Sequence, residues 1–571
     1  MLLSLAIATL PSIAGSNPAS PVLVDLYVDA SATCASGAGT LTNPYCTIGE
    51  AVAAAVNGDV IRIAAGTYVE IFDLAQDVAL IGTDGREVTI IDGAQQGTVV
   101  TVQASATVTL DGVTVTGGNE GGLSNFGALT LLNSTVAGNI GSLPYSGSRI
   151  TGGGITQEPG SGPLFVHRSA VNQNQVGGGI LVEAGGAVTL LDSTISGNSA
   201  FSGGAIYAIA GGDIRILDST ISGNDAVYGG AVWVEGTNVE VLGTTISGNT
   251  GYLGTIGTFG FGGSANTSST ITNSTITGNS TTTGYSSTKG DVLWRGNGHL
   301  LIKDSTILSS GEIFPFAYSA PVTVSGSILS GSVSNTSVTS LGKNFVGAAP
   351  AGSGFTNGVM GDIVGTLVAP IDSLLGPLQD NGGPTLTHRP LFGSPVIDAG
   401  DQVTFEPLDQ RGIARVAGDV DMGAVEGGFG DPIPICVSAP NSTGLVGLLA
   451  ATGSPTAGDN DFTLTMSSLP VNQFGAFVAS RTQGFTAGPG GSAGNLCLGG
   501  SIGRFFGPHQ LGTSGPEGLI SLRVPLTMIP QGSAFTAVQA GETWRFQGWH
   551  RDVVGGTATS NFSSGLAVTF L

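Results

Sequence analysis

The chain has 571 residues, enough for more than one domain, yet only 10% of them are charged, against about a quarter in ordinary globular proteins. Acids number 39 against 17 lysines and arginines, a net charge of −22. This excludes nucleic acid, whose phosphates need basic surface, and argues against an anionic membrane surface.

In chain order, residues 1–20 read as a secretory signal. Met1 to Ala14 are short and apolar, and Ser12-Ile13-Ala14 offers a small-x-small cleavage pattern, although the basic start is missing. No other stretch carries the roughly 20 uninterrupted apolar residues that a transmembrane helix needs. An acidic, Ser/Thr/Gly-rich surface suits an exported protein, secreted or displayed at a cell surface, and no feature calls for more than a monomer.

Residues 21–58 read as an N-terminal cap. Leu26-Tyr27-Val28-Asp29 is strand-like. Thr47-Ile48-Gly49-Glu50 is a capping box ahead of Ala51 to Val56, and Asn57-Gly58 stops the helix. Its apolar face, Ile48, Val52 and Val56, is expected to cover the open end of the strand-rich region that begins at Asp59, where unpaired strand edges invite aggregation. Cys34 and Cys46 lie near the start, and Cys436 and Cys497 in the last quarter. With no paired Cys-x-x-Cys and few histidines, zinc is disfavoured. Two disulfides are the simpler reading in an exported protein. Three pairings are possible, and 34–46 with 436–497 is preferred.

Residues 59–340 repeat. Leu190-Leu191-Asp192-Ser193-Thr194-Ile195-Ser196-Gly197-Asn198 returns almost unchanged as Ile216 to Asn224, then looser as Val241 to Asn249 and Ile271 to Asn279. A period of this size marks a solenoid whose units are too short to bury an apolar face alone. Apolar residues alternate within each unit, which is strand periodicity. The expected fold is all-β: a parallel β-helix of about eleven coils, its strands stacked at about 4.8 Å. In-register stacking makes Ile195, Ile221, Ile246, Ile276 and Ile307 an interior column. It makes Asn198, Asn224, Asn249 and Asn279 a structural turn ladder, each amide serving its own turn and the next coil. Residues 140–163 and 251–268 read as projecting loops.

Interleaved with these are Gly177-Gly178-Gly179-Ile180, Gly203-Gly204-Ala205-Ile206 and Gly229-Gly230-Ala231-Val232, where glycine permits a tight corner. The paired Gly-Gly-Ala-Ile and Ile-Ser-Gly-Asn elements resemble the repeats of bacterial polymorphic outer-membrane proteins and, more widely, the pectin-lyase-like right-handed β-helices, over roughly residues 25–340. That resemblance implies the fold. It also raises polysaccharide lyase or glycoside hydrolase activity as an alternative function, since lyases of this type hold calcium with carboxylates and use an Arg or Lys base, and hydrolases cluster aspartates.

Three constellations are candidates for chemistry. Asp192 and Asp218 share a repeat position one coil apart and are a candidate calcium site, calcium preferring such oxygens; Gly243 and Asn273 come next at the equivalent position. No other cofactor is indicated. Lys289, Asp291, Arg295, His299, Lys303 and Asp304 form the densest ionisable stretch, with Arg295 or Lys303 the candidate base. After each glycine corner Ile180, Ile206 and Val232 point inward, so Leu181, Tyr207 and Trp233 point outward in one column. Sugar rings stack on such aromatics, and the flanking Glu183 and Glu235 are placed to accept hydroxyl hydrogen bonds. A polysaccharide or cell-surface glycan is the expected partner.

Then the pattern changes. Leu374 to Thr385, His388, Gly393-Ser394-Pro395-Val396-Ile397-Asp398-Ala399-Gly400, Asp409-Gln410-Arg411-Gly412 and Asp421 to Glu426 look like the choice-of-anchor Q module of bacterial surface proteins. Residues 341–426 are therefore expected to close the solenoid, with Asp380, Asn381, His388, Asp398, Asp409 and Arg411 holding turns. No familiar sorting tail comes after them. Residues 427–435 read as a linker. Residues 436–571 read as a separate sandwich-like β domain from alternations such as Asp461 to Met466 and Leu566 to Phe570, with Trp544, Phe546, Trp549, Arg551 and Asp552 as core and rim. The favoured function is a non-catalytic exported surface protein presenting a long face for adhesion or carbohydrate contact. An architectural surface-layer spacer is a further alternative.

Overall fold

The computed structural model describes residues 24–32, 37–142, 151–209, 212–251, 256–259, 268–281, 292–294, 298–313, 321–333, 338–391, 394–415, 420–427, 439–453, 457–554 and 556–570. It is nearly all β. Three all-parallel sheets run the length of the first two thirds. The first has thirteen strands, from Asp25–Val28 to Val338–Gly342, and the second has nine, from Phe72–Leu74 to Val292–Trp294. The third has thirteen, from Gly66–Val69 to Ile363–Thr366. One coil runs from the first sheet (Val188–Leu191) to the third (Thr194–Ser196), then to the second (Ile206–Ile209), and back to the first (Ile214–Leu217). Each strand pairs with its counterpart one coil away, so the chain is a parallel β-helix.

The register puts like on like. Val115, Val136, Val171, Ile195, Ile221, Ile246, Ile276, Ile307 and Leu329 form one interior column of the third sheet. The first sheet contributes another, from Leu80 through Leu110, Leu131, Val166, Leu190, Ile216, Val241, Ile271 and Ile302 to Val324. All are buried. Because every second residue faces inward, a one-residue slip would expose a whole column, and this fixes the register.

Two polar ladders seal the corners of the third sheet. Each of Asn139, Asn174, Asn198, Asn224 and Asn249 donates its side-chain amide and its backbone N–H to the side-chain oxygen of the next asparagine, ending at Asn279. At the other corner the backbone N–H of Ser134, Ser169, Ser193, Ser219, Thr244, Ser274 and Ser305 each reaches the hydroxyl one coil on. Both ladders are buried and satisfy groups that are costly to leave unpaired.

The N-terminal end is closed by the helix Ile48–Ala54, whose Thr47–Glu50 capping box is fully formed. Ile48, Ala51 and Val52 enter the core of the coils. Val56 does not: the helix has already ended, and its N–H is held by Asp59 with the side chain exposed.

Three expected boundaries move. The strand Ile155–Gln157 belongs to the second sheet, as does Ile256–Phe259, so 140–163 and 251–268 are not simple projecting loops. The coils continue past residue 340, because Phe345–Ala349 and Ile363–Thr366 keep pairing in the third sheet. And residues 373–427 do not cap the end of the stack. They lie as a strap along the outer face of the third sheet, bonded to Gly243, Thr245, Asn273, Thr275, Thr277 and Thr306.

Residues 439–570 have their own core, built on Phe462, Phe477, Phe505, Trp544, Phe546 and Phe570. Their sheets are antiparallel: Leu448–Gly453, Phe462–Ser467 and Ile520–Arg523 in one, and Phe474–Ser480, Thr543–Val554 and Thr557–Thr569 in another.

Candidate functional site

On the outer face of the second sheet, Thr156, Leu181, Tyr207 and Trp233 occupy successive coils in direct register. The column exists, but not as a bare platform. Leu181 is 1% and Trp233 3% exposed, and Tyr207 is half-buried. Trp233 is covered because an additional short sheet, Ser199–Ser202, Asp225–Tyr228, Thr250–Gly251 and Ser280–Thr281, is inserted between the third and second sheets. Tyr228 at the end of its second strand sets its ring 5.6 Å from that of Trp233. Phe201, one coil earlier, stands edge-on to Tyr228 at 5.3 Å and remains 56% exposed. The accessible aromatic surface is therefore Phe201, Tyr228 and Tyr207. The sequence signal for the first two is faint: each lies one or two residues before a Gly-Gly corner.

Carboxylates border this column. Tyr207 donates its phenol hydrogen to Glu235 Oε1 at 3.1 Å. Burial first, and then the charge of Glu235, hold the phenol protonated far above its ordinary range. Ile209 pairs with Glu235, and Glu183 and Glu158 hold the same position in the two preceding coils, each directly after a paired strand end. Glu158 is buried, with Ser124 donating to its Oε1 at 2.5 Å, whereas Glu183 and Glu235 are half-exposed. The chemistry on offer is ring stacking plus hydroxyl or ammonium recognition.

Asp192 and Asp218 serve a backbone role. They adopt φ of 48° and 46°, in the left-handed region, at the turn from the first to the third sheet. Asn133, Gly243, Asn273 and Asp304 share that conformation, and Asp, Asn and Gly tolerate it best. Glycine at 243 also makes room: a β-carbon there would meet Asp218 Oδ1 at 2.1 Å. Burial, and then the charge of Asp192, raise the Asp218 carboxyl above its usual range. Asp192 has His167 Nε2 at 3.5 Å. Among the described residues no three His, Cys, Asp or Glu side chains gather as a metal site.

Of the ionisable stretch, Lys289, Asp291 and Arg295 lie outside the described residues. His299 bonds Thr323 at 2.7 Å, and Lys303 pairs with Glu406 of the strap at 2.6 Å. Asp304 is buried and accepts the Glu406 N–H at 2.9 Å. The Lys303 and Asp304 contacts secure the strap.

The strap's polar residues also act structurally. His388 is buried between Gly376 O at 2.7 Å and Thr277 Oγ1 at 2.9 Å, and burial lowers its pKa. Asn381 donates to Thr387 O at 2.8 Å, and Asp380 holds the Gly382 N–H. Asp398 takes a positive φ and donates its N–H to Asp421. Asp409 grips Arg411 at 2.7 and 3.0 Å with both side chains buried. Arg415, also buried, pairs with Glu426 and donates to Asn273 Oδ1 at 3.0 Å. Asp421 and Glu426 share one desolvated site, which pushes their carboxyls up to about 8 and about 7. In the last domain Trp544 and Phe546 are core, Trp549 is half-buried and Arg551 exposed, and buried Asp552 accepts the Ser442 N–H at 3.0 Å.

Neither Cys46 nor Cys497 is a free thiol; Cys34 and Cys436 lie outside the described residues.

Residues 146–346 match the model of the right-handed β-helix region family. Among solved structures the chain is similar to pectate lyase Pel9A, with 16% identity, a TM-score of 0.41, and coverage of 71% of this chain and 96% of that one. XylC in complex with xylose gives 9% identity, a TM-score of 0.43, and coverage of 70% and 98%. Full-length tailspike protein 2 from Escherichia coli O157:H7 bacteriophage CAB120 gives 12% identity, a TM-score of 0.27, and coverage of 90% and 64%. No curated protein matches the sequence. No helix among the described residues is long and apolar enough to cross a membrane.

Proposed function

We propose that this is an exported, non-catalytic β-helix protein that contacts carbohydrate through the outer face of its second sheet. One observation carries the reading. Phe201 and Tyr207 on one coil and Tyr228 on the next leave aromatic surface accessible, beside Glu183 and Glu235. Rings of this kind stack on sugars while carboxylates orient hydroxyls. Leu181 and Trp233 contribute from beneath, as packing that keeps Tyr228 and Tyr207 in place. The strap fits a choice-of-anchor Q type segment that has become part of the rod. Pairing of Cys34 with Cys46 and of Cys436 with Cys497 fits an oxidising, extracellular setting.

A glycan array probed with the full chain and with Tyr207→Ala and Phe201→Ala tests the reading. The wild type is expected to retain glycans that both variants lose at unchanged melting temperature. An array profile identical in all three proteins sinks it.

A further inference from the structure

Resting on that reading, we infer that the glycan is a linear amino sugar polymer in its ammonium form, lying along the helix axis across Tyr207.

Spacing and sign both point this way. Glu183 and Glu235 stand on either side of the Tyr207 coil, two coils apart in the same outward column. Two coils are about 10 Å, twice the strand spacing. A β-linked chain with a twofold twist turns alternate rings over, so a substituent returns to the same side on every second ring. With one ring over each coil, the ring over Tyr207 stacks, and the rings before and after it direct the same substituent at Glu183 and Glu235. That substituent must be cationic to gain most. Both carboxylates are half-exposed and lie where a ligand would partly desolvate them, and a charge-assisted bond is roughly twice as strong as a neutral one. The rest of the molecule agrees, since a net charge of −22 draws in a polycation and repels a polyuronate. Tyr207 already uses its phenol hydrogen on Glu235 at 3.1 Å. This leaves the ring face for stacking and keeps the carboxylate aimed along the column.

Isothermal titration of the full chain at mildly acidic pH, with hexamers of glucosamine, N-acetylglucosamine and galacturonic acid, tests the inference. The glucosamine hexamer is expected to bind at least about tenfold tighter than its acetylated form, a difference of about 1.4 kcal/mol, and to weaken as salt rises. Glu183→Gln and Glu235→Gln should each erase that preference by weakening the glucosamine hexamer far more than the acetylated one. Tyr207→Phe, which frees Glu235 from its internal bond, should preserve it. Equal affinity for the two hexamers, or a preference that survives both glutamine variants, overturns the ammonium pairing. In that case loss of both hexamers in Tyr207→Ala still upholds carbohydrate contact at this face. Binding of the acetylated hexamer that is indifferent to Tyr207→Ala, or no binding by any hexamer, defeats both statements.

Discussion

The outer face of the third sheet is found in two conditions within one molecule. In the coils at Thr194 and Thr220 its threonines are half-exposed, whereas Thr245, Thr275 and Thr306, at the same position further along, are buried beneath residues 373–427. The strand sequences hardly differ: Thr194-Ile195-Ser196 and Thr245-Ile246-Ser247 are interchangeable. What differs is the cover. The strap meets the sheet through hydroxyls, with Gln410 Nε2 on Thr245 at 2.9 Å, Thr275 Oγ1 on Gln410 Oε1 at 2.6 Å, and Ala424 N on Thr306 at 3.0 Å. It carries its own charges inward as compensated pairs, Asp409 with Arg411 and Arg415 with Glu426. A repetitive coil thus supplies a uniform polar floor, and a non-repetitive segment decides which part of it is used.

The strongest way to break that contrast is Arg415→Ala. Arg415 joins Glu426, Gly423 O and Asn273 in one buried network, and removing one partner of a buried pair costs about 3–5 kcal/mol. Protease should then cut within 394–427 while the coils stay intact, read by mass of the fragments. Cleavage no faster than in the wild type would show that the network does not hold the strap.

Asn224→Ala should come next, at about 2–4 kcal/mol, and acts on the rod itself. It strands the backbone and amide donors of Asn198, which now reach Asn224 Oδ1 at 3.0 and 2.9 Å. Hydrogen exchange should rise in the coils on both sides, under the strap or not. A loss confined to one coil would mean that the ladder is a row of independent turns.

These two cases mark how far the fold was legible. The asparagine ladder and the isoleucine columns are written locally, one residue type at one phase of a short period, so register follows from counting. The partners that tie Arg415 and Gln410 to the coils, Asn273 and Thr245, lie more than a hundred residues away in sequence, with no periodicity linking them, and only the folded chain shows that 373–427 turns back along the rod. The aromatic column was half legible. Alternation puts Leu181, Tyr207 and Trp233 on one file, but the strand Asp225–Tyr228 that covers Trp233 has no counterpart in most coils. Asp192 and Asp218 recur for a backbone reason that the sequence pattern does not display: most coils fill this left-handed turn with aspartate, asparagine or glycine, although Arg168 and Lys343 also occupy it.

The strap is also expected to loosen as pH rises. The Asp421 carboxyl, pushed up to about 8 by burial and by the charge of Arg415-paired Glu426, holds a proton in the folded state that an unfolded chain gives up near pH 4. Its stabilisation is complete below that pH, declines as pH climbs from there, and is gone once pH passes about 8, because folding then requires an added charge in a desolvated site. Hydrogen exchange of 394–427, corrected for its intrinsic rate, should accelerate between pH 6 and pH 9 while the uncovered coils stay level. Asp421→Asn should flatten the response, and an equal slope in that variant would locate the titration elsewhere.

The smallest effect is the most discriminating. Thr275→Val and Thr194→Val make the same change at the same coil position, one under the strap and one outside it. Under the strap the hydroxyl is the donor to Gln410 Oε1, and its loss leaves a buried acceptor unmet at a cost of about 1–3 kcal/mol. Outside, the hydroxyl is replaceable by water and valine suits a strand as well as threonine does, so the change should stay within about 0.5 kcal/mol. Chemical denaturation of the two variants measures the gap directly. If both fall by the same amount, the third sheet's threonines stabilise the rod through the coil alone, and the strap rests on its ion pairs rather than on the hydroxyl floor.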